Sequence, residues 1–516
     1  MQNQLKLRNL NKMNQESELI AKTFQGLEEV LARELTELGA SNIEIGRRMV
    51  SFTGDKALMY KANFCLRTAI RILKPIKHFT AKTADEVYDA VKAIAWEEYL
   101  DNMSSFAVDA VVFSNEFRHS KFVAYKVKDA IVDYFREKTG NRPSVRISNP
   151  DLAINIHIAE DQCTLSLDSS GESLHRRGYR QEQVEAPLNE VLAAGMILMT
   201  GWRGECDLID PMCGSGTIPI EAALIARNIA PGIFRKEFGF EKWKDFDQNL
   251  LDSIYNDDSQ EREFTHKIYG YDNNPRANEI ATHNVKAAGV SKDVILKIQP
   301  FQQFEQPKEK SIIITNPPYG ERISSGDLLE LYKMIGERLK HAFTGNDAWI
   351  LSYRDECFDQ IGLKASVKIP LFNGALECQF RQYQLFDGKY KAFRSENAGK
   401  DFKPRRNTDS PRPKTRSFSR DGEQKGFRKK EDRPSGSRKN EGFRKEEGFR
   451  GRKAGDGKEF TRERRNEFRF KDESKPRTPR PSTDDGRPKQ APGPRYMHSR
   501  RKPEIERENN ESMDEQ

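Results

Sequence analysis

The chain has little cysteine for its length, and no metal or disulfide framework is visible in its spacing. Its 516 residues include six cysteines and eight histidines. The cysteines are scattered without a CxxC pair, and the histidines show no metal-ligand spacing. This usage is typical of reduced thiols in the cytosol and argues against a disulfide-stapled secreted protein or a zinc site. We therefore expect no bound metal.

A targeting segment and long apolar runs are also missing. The first residues, MQNQLKLRNLNKMNQ, lack the continuous apolar core of a signal peptide. No apolar run approaches the length that a membrane-spanning helix needs. The sequence predicts a soluble, cytoplasmic protein with no membrane partner.

The last part of the chain lacks the residues that build a core. Residues 391–516 contain one Ile and no Leu or Val, so they cannot bury enough apolar surface to offset the entropy of ordering, and we predict a disordered tail. The tail holds roughly 38 basic and 24 acidic residues, whereas the whole chain has a formal net charge of +8. Its repeated Gly-Phe-Arg is typical of weak, salt-sensitive binding to single-stranded RNA. A solubilising role without a specific partner is the alternative.

Hydrophobic periodicity divides the rest of the chain into three regions. Residues 15–78 and 79–180 each predict a small α+β unit, and the second ends in a hairpin formed by DLAINIHI and CTLSLD. Residues 185–388 alternate strands and helices, which is typical of a parallel, doubly wound sheet. Asn373-Gly374 between two apolar runs predicts a hairpin. This parallel sheet should therefore finish with an antiparallel strand.

A glycine-rich turn follows the first strand of the third region. The strand CDLID runs through Asp210-Pro-Met-Cys-Gly-Ser-Gly into a helix that opens at Thr217. Its glycines let a ligand approach the backbone, and the helix start offers free N–H groups. The missing Lys-Ser/Thr disfavours a phosphate-binding P-loop, and Pro219 breaks the dinucleotide fingerprint. The second strand ends at Asp272, which can accept both ribose hydroxyls or cap the helix starting near Pro275. These parts suit a nucleoside without pyrophosphate, such as S-adenosyl-L-methionine.

A later strand, SIIIT, ends in Asn316-Pro317-Pro318-Tyr319. The two prolines stop the strand and fix the backbone. The Asn316 side-chain oxygen and the Pro317 carbonyl can accept both N–H bonds of a nucleobase amine, which draws the nitrogen lone pair out of conjugation. Tyr319 can stack on a base that is unpaired or flipped out. A plain proline turn is the alternative, and the glycine turn in the same predicted sheet disfavours it.

The paired motifs resemble those of a known family. DLIDPMCGSGTIPIEAALIARNIAPG and TNPPYGER resemble the bacterial methyltransferases that modify the exocyclic amine of guanine in large-subunit ribosomal RNA. NPDLAINIHIAEDQCTLSLDSSGESLHRRGYR resembles a THUMP RNA-binding domain with its junction, and TFQGLEEVLARELTELG resembles the ferredoxin-like domain that precedes THUMP. The resemblance covers about residues 15–388. It implies a Rossmann-like class I methyltransferase domain, its parallel sheet ending in an antiparallel hairpin, after ferredoxin-like and THUMP domains.

The resemblance also implies a cofactor, a partner and site residues. The cofactor is S-adenosyl-L-methionine, and the partner is RNA, namely 23S ribosomal RNA or a large-subunit assembly intermediate. The cofactor site comprises Asp210, Cys213, Gly214, Gly216, Thr217, Asp272, Asn273, Gln299 and Phe301. The target base is held by Asn316, Pro317, Pro318 and Tyr319, and RNA is contacted by Arg176, Arg177, Arg180 and Arg322.

Two points stay open in this sequence. Relatives often carry an acidic residue after the third strand, to meet the cofactor's adenine amine, where this chain has Gln299-Pro300-Phe301. Gln299 or backbone groups are the remaining candidates for that contact. The arginines of HRRGYR also fit a solvated, charged linker.

The motifs do not separate guanine from adenine as the target. A tRNA guanine-N2 methyltransferase is the nearest alternative, because THUMP domains also serve tRNA-modifying enzymes. An adenine-N6 methyltransferase is a further enzyme alternative, and a non-catalytic RNA-binding assembly factor is the alternative from another class.

Overall fold

The computed structural model describes residues 16–305, 307, 309–320 and 324–386. The predicted tail, residues 391–516, and the predicted RNA contact Arg322 lie outside these ranges. Within them, no helix combines the length and the apolar character that crossing a membrane requires.

Eight strands from the first two regions form one continuous sheet. They are β1 (Ser17–Lys22), β2 (Ser41–Gly46), β3 (Met49–Gly54), β4 (Arg71–Thr80), β5 (Ser105–Phe113), β6 (Ser144–Val145), β7 (Leu152–Ala159) and β8 (Gln162–Asp168). Their order is β2-β3-β1-β4-β8-β7-β5-β6. In β4, Leu73 pairs with Ile20 of β1 and His78 pairs with Thr164 of β8. The predicted boundary between residues 78 and 79 therefore falls inside a strand that both regions share.

Amphipathic helices supply the apolar residues that cover this sheet. They are α1 (Glu28–Glu37), α2 (Lys56–Cys65), α3 (Ala84–Lys92) and α4 (Ser120–Thr139), with a 3-10 turn at Trp96–Glu98. Helix α1 buries Val30, Leu31 and Leu35, as its spacing predicts. Helix α4 ends at Gly140, whose φ of +76° is the left-handed conformation that glycine adopts without strain.

The third region forms a separate seven-stranded sheet. Its strands are β9 (Asp207–Asp210), β10 (Ile268–Asp272), β11 (Val294–Ile298), β12 (Ser311–Thr315), β13 (Asp347–Ser352), β14 (Val367–Asn373) and β15 (Leu376–Gln384). The order β11-β10-β9-β12-β13-β15-β14 is parallel as far as β13, and β15 runs antiparallel to both of its neighbours. The predicted antiparallel ending is confirmed, with Gly374 in the turn at a φ of +63°.

Helices connect these strands. They are α5 (Glu190–Thr200), α6 (Thr217–Ala226), α7 (Gln248–Tyr255), α8 (Pro275–Ala287), α9 (Ser325–Ala342) and α10 (Asp355–Ile361), with 3-10 turns at Pro231–Phe234, Gly239–Lys242 and Phe301–Gln303. The strand order reverses between β9 and β12, where the connections leave to opposite sides. The carboxyl edge at such a switch point is where open α/β sheets bind ligands.

The segment 228–264, which lies between α6 and β10, packs on the N-terminal region. The Phe240 ring stacks on Tyr60 with ring centroids 4.0 Å apart. The Lys244 ammonium donates to the carbonyls of Glu97 at 2.8 Å and Leu100 at 3.0 Å. This segment, called the clamp below, therefore fastens the eight-stranded sheet to the third region.

Candidate active site

A cavity of about 770 Å³ opens at the carboxyl edge of the seven-stranded sheet, and both predicted motifs line it. The predicted residues in its lining are Asp210, Cys213, Gly214, Thr217, Asp272, Asn273, Phe301, Asn316, Pro317, Pro318 and Tyr319. Gly216 and Gln299 are predicted cofactor contacts that do not line it. The fold thus brings the glycine turn and the Asn-Pro-Pro-Tyr turn to one space.

The Asp272 carboxylate bridges two backbone segments. Its Oδ2 accepts a hydrogen bond from the Gly214 N–H at 2.9 Å, and its Oδ1 accepts one from the Asn274 N–H at 2.9 Å. The cap of α8 is Asn274, whose side chain accepts from the Arg276 N–H, so the capping role considered for Asp272 is wrong. Each carboxylate oxygen keeps a further lone pair that a ribose hydroxyl can use.

Gly216 shapes the glycine turn from behind the cavity. Its N–H donates to the Cys213 carbonyl at 2.9 Å, and its φ is +81°. A Cβ at this position would lie 3.2 Å from the Ala281 Cβ of α8. A side chain here would therefore meet both an unfavourable backbone conformation and a tight contact.

The end of the third strand places a different glutamine in the cavity from the one predicted. The Gln299 side chain donates to the Gln303 carbonyl at 2.7 Å and does not line the cavity. Pro300, Phe301 and Gln302 line it instead. Of the two glutamines, only Gln302 lines the cavity, so its side chain is the one that can meet a ligand there.

Asp210 connects the two motifs. Its Oδ1 accepts hydrogen bonds from the Thr315 hydroxyl at 2.9 Å and from the Met212 N–H at 3.3 Å. Burial raises the pKa of Asp210 to about 7; these two hydrogen bonds oppose the rise, and the charge of Asp272 adds to it. Because Thr315 directly precedes Asn316, the turn that would hold the base is tied to the turn that would hold the cofactor.

Neighbouring tyrosines hold the Asn-Pro-Pro-Tyr turn. The Tyr319 hydroxyl donates to the Asn316 Oδ1, and the Tyr319 ring meets the Tyr353 ring edge-on with centroids 5.5 Å apart. The Tyr332 hydroxyl lies 3.4 Å from the Pro318 carbonyl. Burial raises the pKa of Tyr319 well above its usual value, so this hydroxyl stays a hydrogen-bond donor near neutral pH.

Arg180 supports the glycine turn from the junction that precedes it. Its guanidinium donates to Glu190 at 2.7 Å and to the hydroxyls of Ser215 and Thr217, both at 2.9 Å. These N–H groups are used in hydrogen bonds within the protein, so Arg180 has a structural role and not the predicted role of an RNA contact.

Arg177 has a structural place as well. Its side chain is 2% exposed, and its Nε lies 3.4 Å from the Glu221 carboxylate, which also accepts a hydrogen bond from the Tyr179 hydroxyl. A guanidinium buried in this way cannot reach RNA, so the predicted RNA contact at Arg177 is wrong. Arg176 forms an ion pair with Glu172 on the surface. Because its side chain is exposed, it can still contact a ligand.

Several residues that line the cavity were not predicted. They come from the junction before α5, from the face of α9 and from the β14–β15 hairpin: residues 184–188, Asp327, Leu331, Met334, Asn373 and Leu376. The Asn-Gly signal predicted the hairpin but not its contact with the cavity. The sequence offers no local signal for that contact, because it depends on how distant elements pack.

The sheet order, the glycine turn after β9 and the acid at the end of β10 together define a Rossmann-like class I methyltransferase. Comparison with known families narrows this class. The RMKL-like methyltransferase domain matches residues 177–382, the THUMP domain matches residues 81–168, and the RlmL ferredoxin-like domain matches residues 18–73. The chain belongs to the family of RMKL-like methyltransferases that carry a THUMP domain, which confirms the resemblance inferred from the motifs.

Individual relatives agree with this assignment. The chain is 40% identical over 380 residues to the ribosomal RNA large subunit methyltransferase K/L of Syntrophotalea carbinolica, an alignment that covers 71% of this chain and 53% of that protein. It is 38% identical to the putative RNA methyltransferase slr0064 of Synechocystis, covering 71% of this chain and 96% of that one. The chain thus spans about half the length of the K/L relatives.

Solved structures show the same architecture. A possible methylase from Clostridium difficile 630 superposes with a TM-score of 0.67 at 34% identity, covering 73% of this chain and all of the other. SMU.472, a putative methyltransferase solved in complex with SAH, gives a TM-score of 0.65 at 31% identity, with the same two coverages.

Proposed function

We propose that this protein transfers a methyl group from S-adenosyl-L-methionine to the N2 amine of a guanine in 23S ribosomal RNA. One observation carries the proposal: a single cavity is lined by the glycine turn and by the Asn-Pro-Pro-Tyr turn, and the Thr315–Asp210 hydrogen bond joins them. The names of the K/L relatives support ribosomal RNA as the substrate.

The residues of the cavity fit this cofactor. The described lining contains four acidic residues and neither Lys nor Arg; the acids are Glu185, Asp210, Asp272 and Asp327. Such a lining attracts a sulfonium cation and repels phosphate. Asp272 has lone pairs for the ribose hydroxyls, and Pro300 and Phe301 supply an apolar wall for the adenine ring. We infer that the Gln302 amide meets the polar edge of that ring.

The chain's own residues would orient the target amine. Bound S-adenosyl-L-methionine supplies an electrophilic methyl group on a positively charged sulfur. The Asn316 Oδ1 and the Pro317 carbonyl would each accept a hydrogen bond from one N–H group of the amine, so that the nitrogen lone pair leaves conjugation with the base. The Asn316 oxygen already accepts the Tyr319 hydroxyl, and a carbonyl oxygen has a second lone pair for the amine. The prolines keep this geometry fixed, and alignment of this kind accelerates reactions strongly.

The RNA would be held by the N-terminal module and by basic groups near the cavity. The THUMP match and the exposed Arg176 support this assignment. We also propose RNA contacts for Arg322 and for the basic tail, both outside the described residues. The place of action would be the cytoplasm, where thiols such as the six free cysteines remain reduced.

Mass spectrometry of nucleosides from a deletion strain tests the substrate. We expect N2-methylguanosine to fall in 23S ribosomal RNA, to stay unchanged in tRNA, and to return with the wild-type gene but not with Asn316→Ala. A loss confined to tRNA would move the substrate there, and a loss of N6-methyladenine from DNA would replace the target base. An unchanged set of modified nucleosides would favour a non-catalytic assembly factor.

A further inference from the structure

A second cavity, of about 550 Å³, lies between the N-terminal region and the methyltransferase domain. Its lining includes Ile225, near the end of α6, whereas Thr217 at the start of that helix lines the active-site cavity. Eight residues of helix separate them by about 12 Å. The second cavity is therefore a separate space, on the far side of α6 from the glycine turn.

Four arginines line this cavity. Arg33 in α1 and Arg67 after α2 come from the N-terminal region, whereas Arg203 after α5 and Arg262 in the clamp come from the methyltransferase side. Burial lowers the pKa of Arg203; Glu37 opposes this, and repulsion from Arg33 adds to it. Guanidinium groups from both regions thus approach one another across the cavity.

These guanidiniums have no carboxylate partners. Among the described residues, no carboxylate oxygen of Asp or Glu lies within 4.0 Å of the four guanidiniums, and the Arg33 Nε donates to the backbone carbonyl of Glu29 at 3.4 Å. Arg203 donates to the Trp202 carbonyl at 2.8 Å and Arg262 to the Ile225 carbonyl at 2.7 Å. A guanidinium has five N–H donors, so most of the donors around this cavity remain available to a ligand.

Arg67 gives the most specific sign of a missing ligand. Its side chain is 7% exposed, and its Nη2 donates to the Asn228 side chain at 3.3 Å. Its Nη1 is fully buried and makes no hydrogen bond in the described structure. Buried polar groups are almost always paired, so an unpaired guanidinium nitrogen on a side chain that lines this cavity favours an anion as the missing partner.

Acidic residues in the lining do not cancel this charge. They are Glu34, Glu37 and Glu261. Glu34 accepts hydrogen bonds from the backbone N–H groups of Arg67 and Thr68 and from the Thr68 hydroxyl. Its carboxylate is therefore already engaged, and burial raises its pKa. Against four guanidiniums, the two remaining carboxylates leave an excess of positive charge.

We propose that this second cavity binds the phosphate groups of a small anion or of RNA. Planar guanidinium groups bind phosphate oxygens in pairs, with charge-assisted hydrogen bonds. The ligand would contact arginines from both regions, so its binding would also tighten their attachment. This site is independent of the methyl-transfer proposal, because the two cavities share no lining residue.

Calorimetry on the full-length protein tests the site with two probes, sodium pyrophosphate and a 5′-phosphorylated single-stranded RNA decamer. The test variant is Arg33→Gln combined with Arg203→Gln. The control combines Arg47→Gln with Arg142→Gln, two exposed arginines outside the cavity that lose the same charge. S-adenosyl-L-methionine binding and thermal unfolding verify that each variant folds.

We expect pyrophosphate to bind the wild type, to raise its melting temperature, and to bind the test variant at least ten-fold more weakly than the control. If the wild type binds the RNA but not pyrophosphate, and RNA binding weakens in the test variant but not in the control, the result would support the same site with the RNA backbone as the phosphate source. Equal affinities of the test and control variants for both probes would overturn the proposal, as would the failure of the wild type to bind either probe.

Discussion

The Thr315 hydroxyl donates a 2.9 Å hydrogen bond to the Asp210 carboxylate, joining residues 105 positions apart in the chain. Thr315 is 1% exposed and Asp210 is 2% exposed. The bond joins the ends of the neighbouring parallel strands β12 and β9. Each of the two turns that line the cavity is therefore positioned relative to the other by a buried polar contact.

Replacing Thr315 by valine tests this contact. Thr315→Val keeps the shape but leaves the buried Asp210 with one donor fewer, which costs about 1–3 kcal/mol of stability. We expect methyl transfer to fall by roughly ten-fold or more, because the turn proposed to hold the base loses its hydrogen bond to Asp210. Thr315→Ser keeps the hydroxyl and should retain most of the activity. Equal activity of the two variants would show that the contact does not position the site.

Removing the Asn316 amide tests the mechanism. Asn316→Ala deletes the proposed acceptor for the amine, so we expect methyl transfer to fall by about 100-fold or more, whereas S-adenosyl-L-methionine binding measured by calorimetry should change little. Asn256→Ala, at an exposed position after α7, is the matched control. Near-normal turnover by Asn316→Ala would contradict the amine-alignment mechanism.

The raised pKa of Asp210 predicts a pH dependence. The pKa is about 7 in the folded protein, above its ordinary value of 3.8. Folding therefore favours the protonated acid, and the associated stability is lost as pH rises between these two values. A cationic ligand favours the ionised acid, so the affinity for S-adenosyl-L-methionine should increase as pH rises through about 7.

Titrating this affinity in Asp210→Asn gives the control. The asparagine can accept the same two hydrogen bonds but cannot ionise, so the increase between about pH 6 and pH 8 should be smaller than in the wild type. S-adenosylhomocysteine, which lacks the sulfonium charge, should show a weaker dependence in the wild type. A wild-type affinity that stays flat across this range would rule out the coupling.

The two adjacent arginines of the junction should behave differently. Arg177→Met leaves the buried Glu221 carboxylate without its ion-pair partner and with only the Tyr179 hydrogen bond, which costs about 3–5 kcal/mol of unfolding free energy. Arg176→Met removes an exposed charge, so it should leave stability nearly unchanged and weaken RNA binding in a salt-dependent way. Denaturant unfolding and RNA titration measure both effects. Similar stabilities of the two variants would contradict the structural role of Arg177.

Deleting residues 391–516 tests the basic tail. If the tail neutralises RNA phosphates, its removal should weaken RNA affinity and flatten the dependence of that affinity on salt concentration. Methylation of saturating RNA should persist, because the described site lies within residues 184–376. An unchanged salt slope would leave only a solubilising role.

Local patterns predicted the elements of this fold better than their contacts. The Asn373-Gly374 turn and the strand ending at Asp272 follow from short sequence signals, and both are present. The burial of Arg177 depends on Glu221, which lies 44 positions away. The choice between Gln299 and Gln302 depends on the turn that begins at Phe301. The first outcome results from packing between distant segments, and the second from the conformation of a short turn that was not predicted from the sequence.

Contacts between distant segments also explain why β4 crosses the predicted boundary between residues 78 and 79. The sequence identifies each apolar stretch, but strand pairing decides which sheet it joins, and β4 pairs on one side with β1 and on the other with β8. Similarly, His266 comes within 3.6 Å of both Asp207 and Glu309, although no spacing in the sequence relates these residues.

The clamp would affect which nucleotide of a bound RNA can reach the active-site cavity. The stack of Phe240 on Tyr60 joins the clamp to the ferredoxin-like region, and the hydrogen bonds of Lys244 to the carbonyls of Glu97 and Leu100 join it to the THUMP region. If these contacts keep the THUMP region at a fixed distance from the active-site cavity, an RNA bound by the THUMP region could present to the cavity only a nucleotide at a set distance. Inserting base pairs between the anchored stretch and the target would then abolish methylation, while leaving affinity intact.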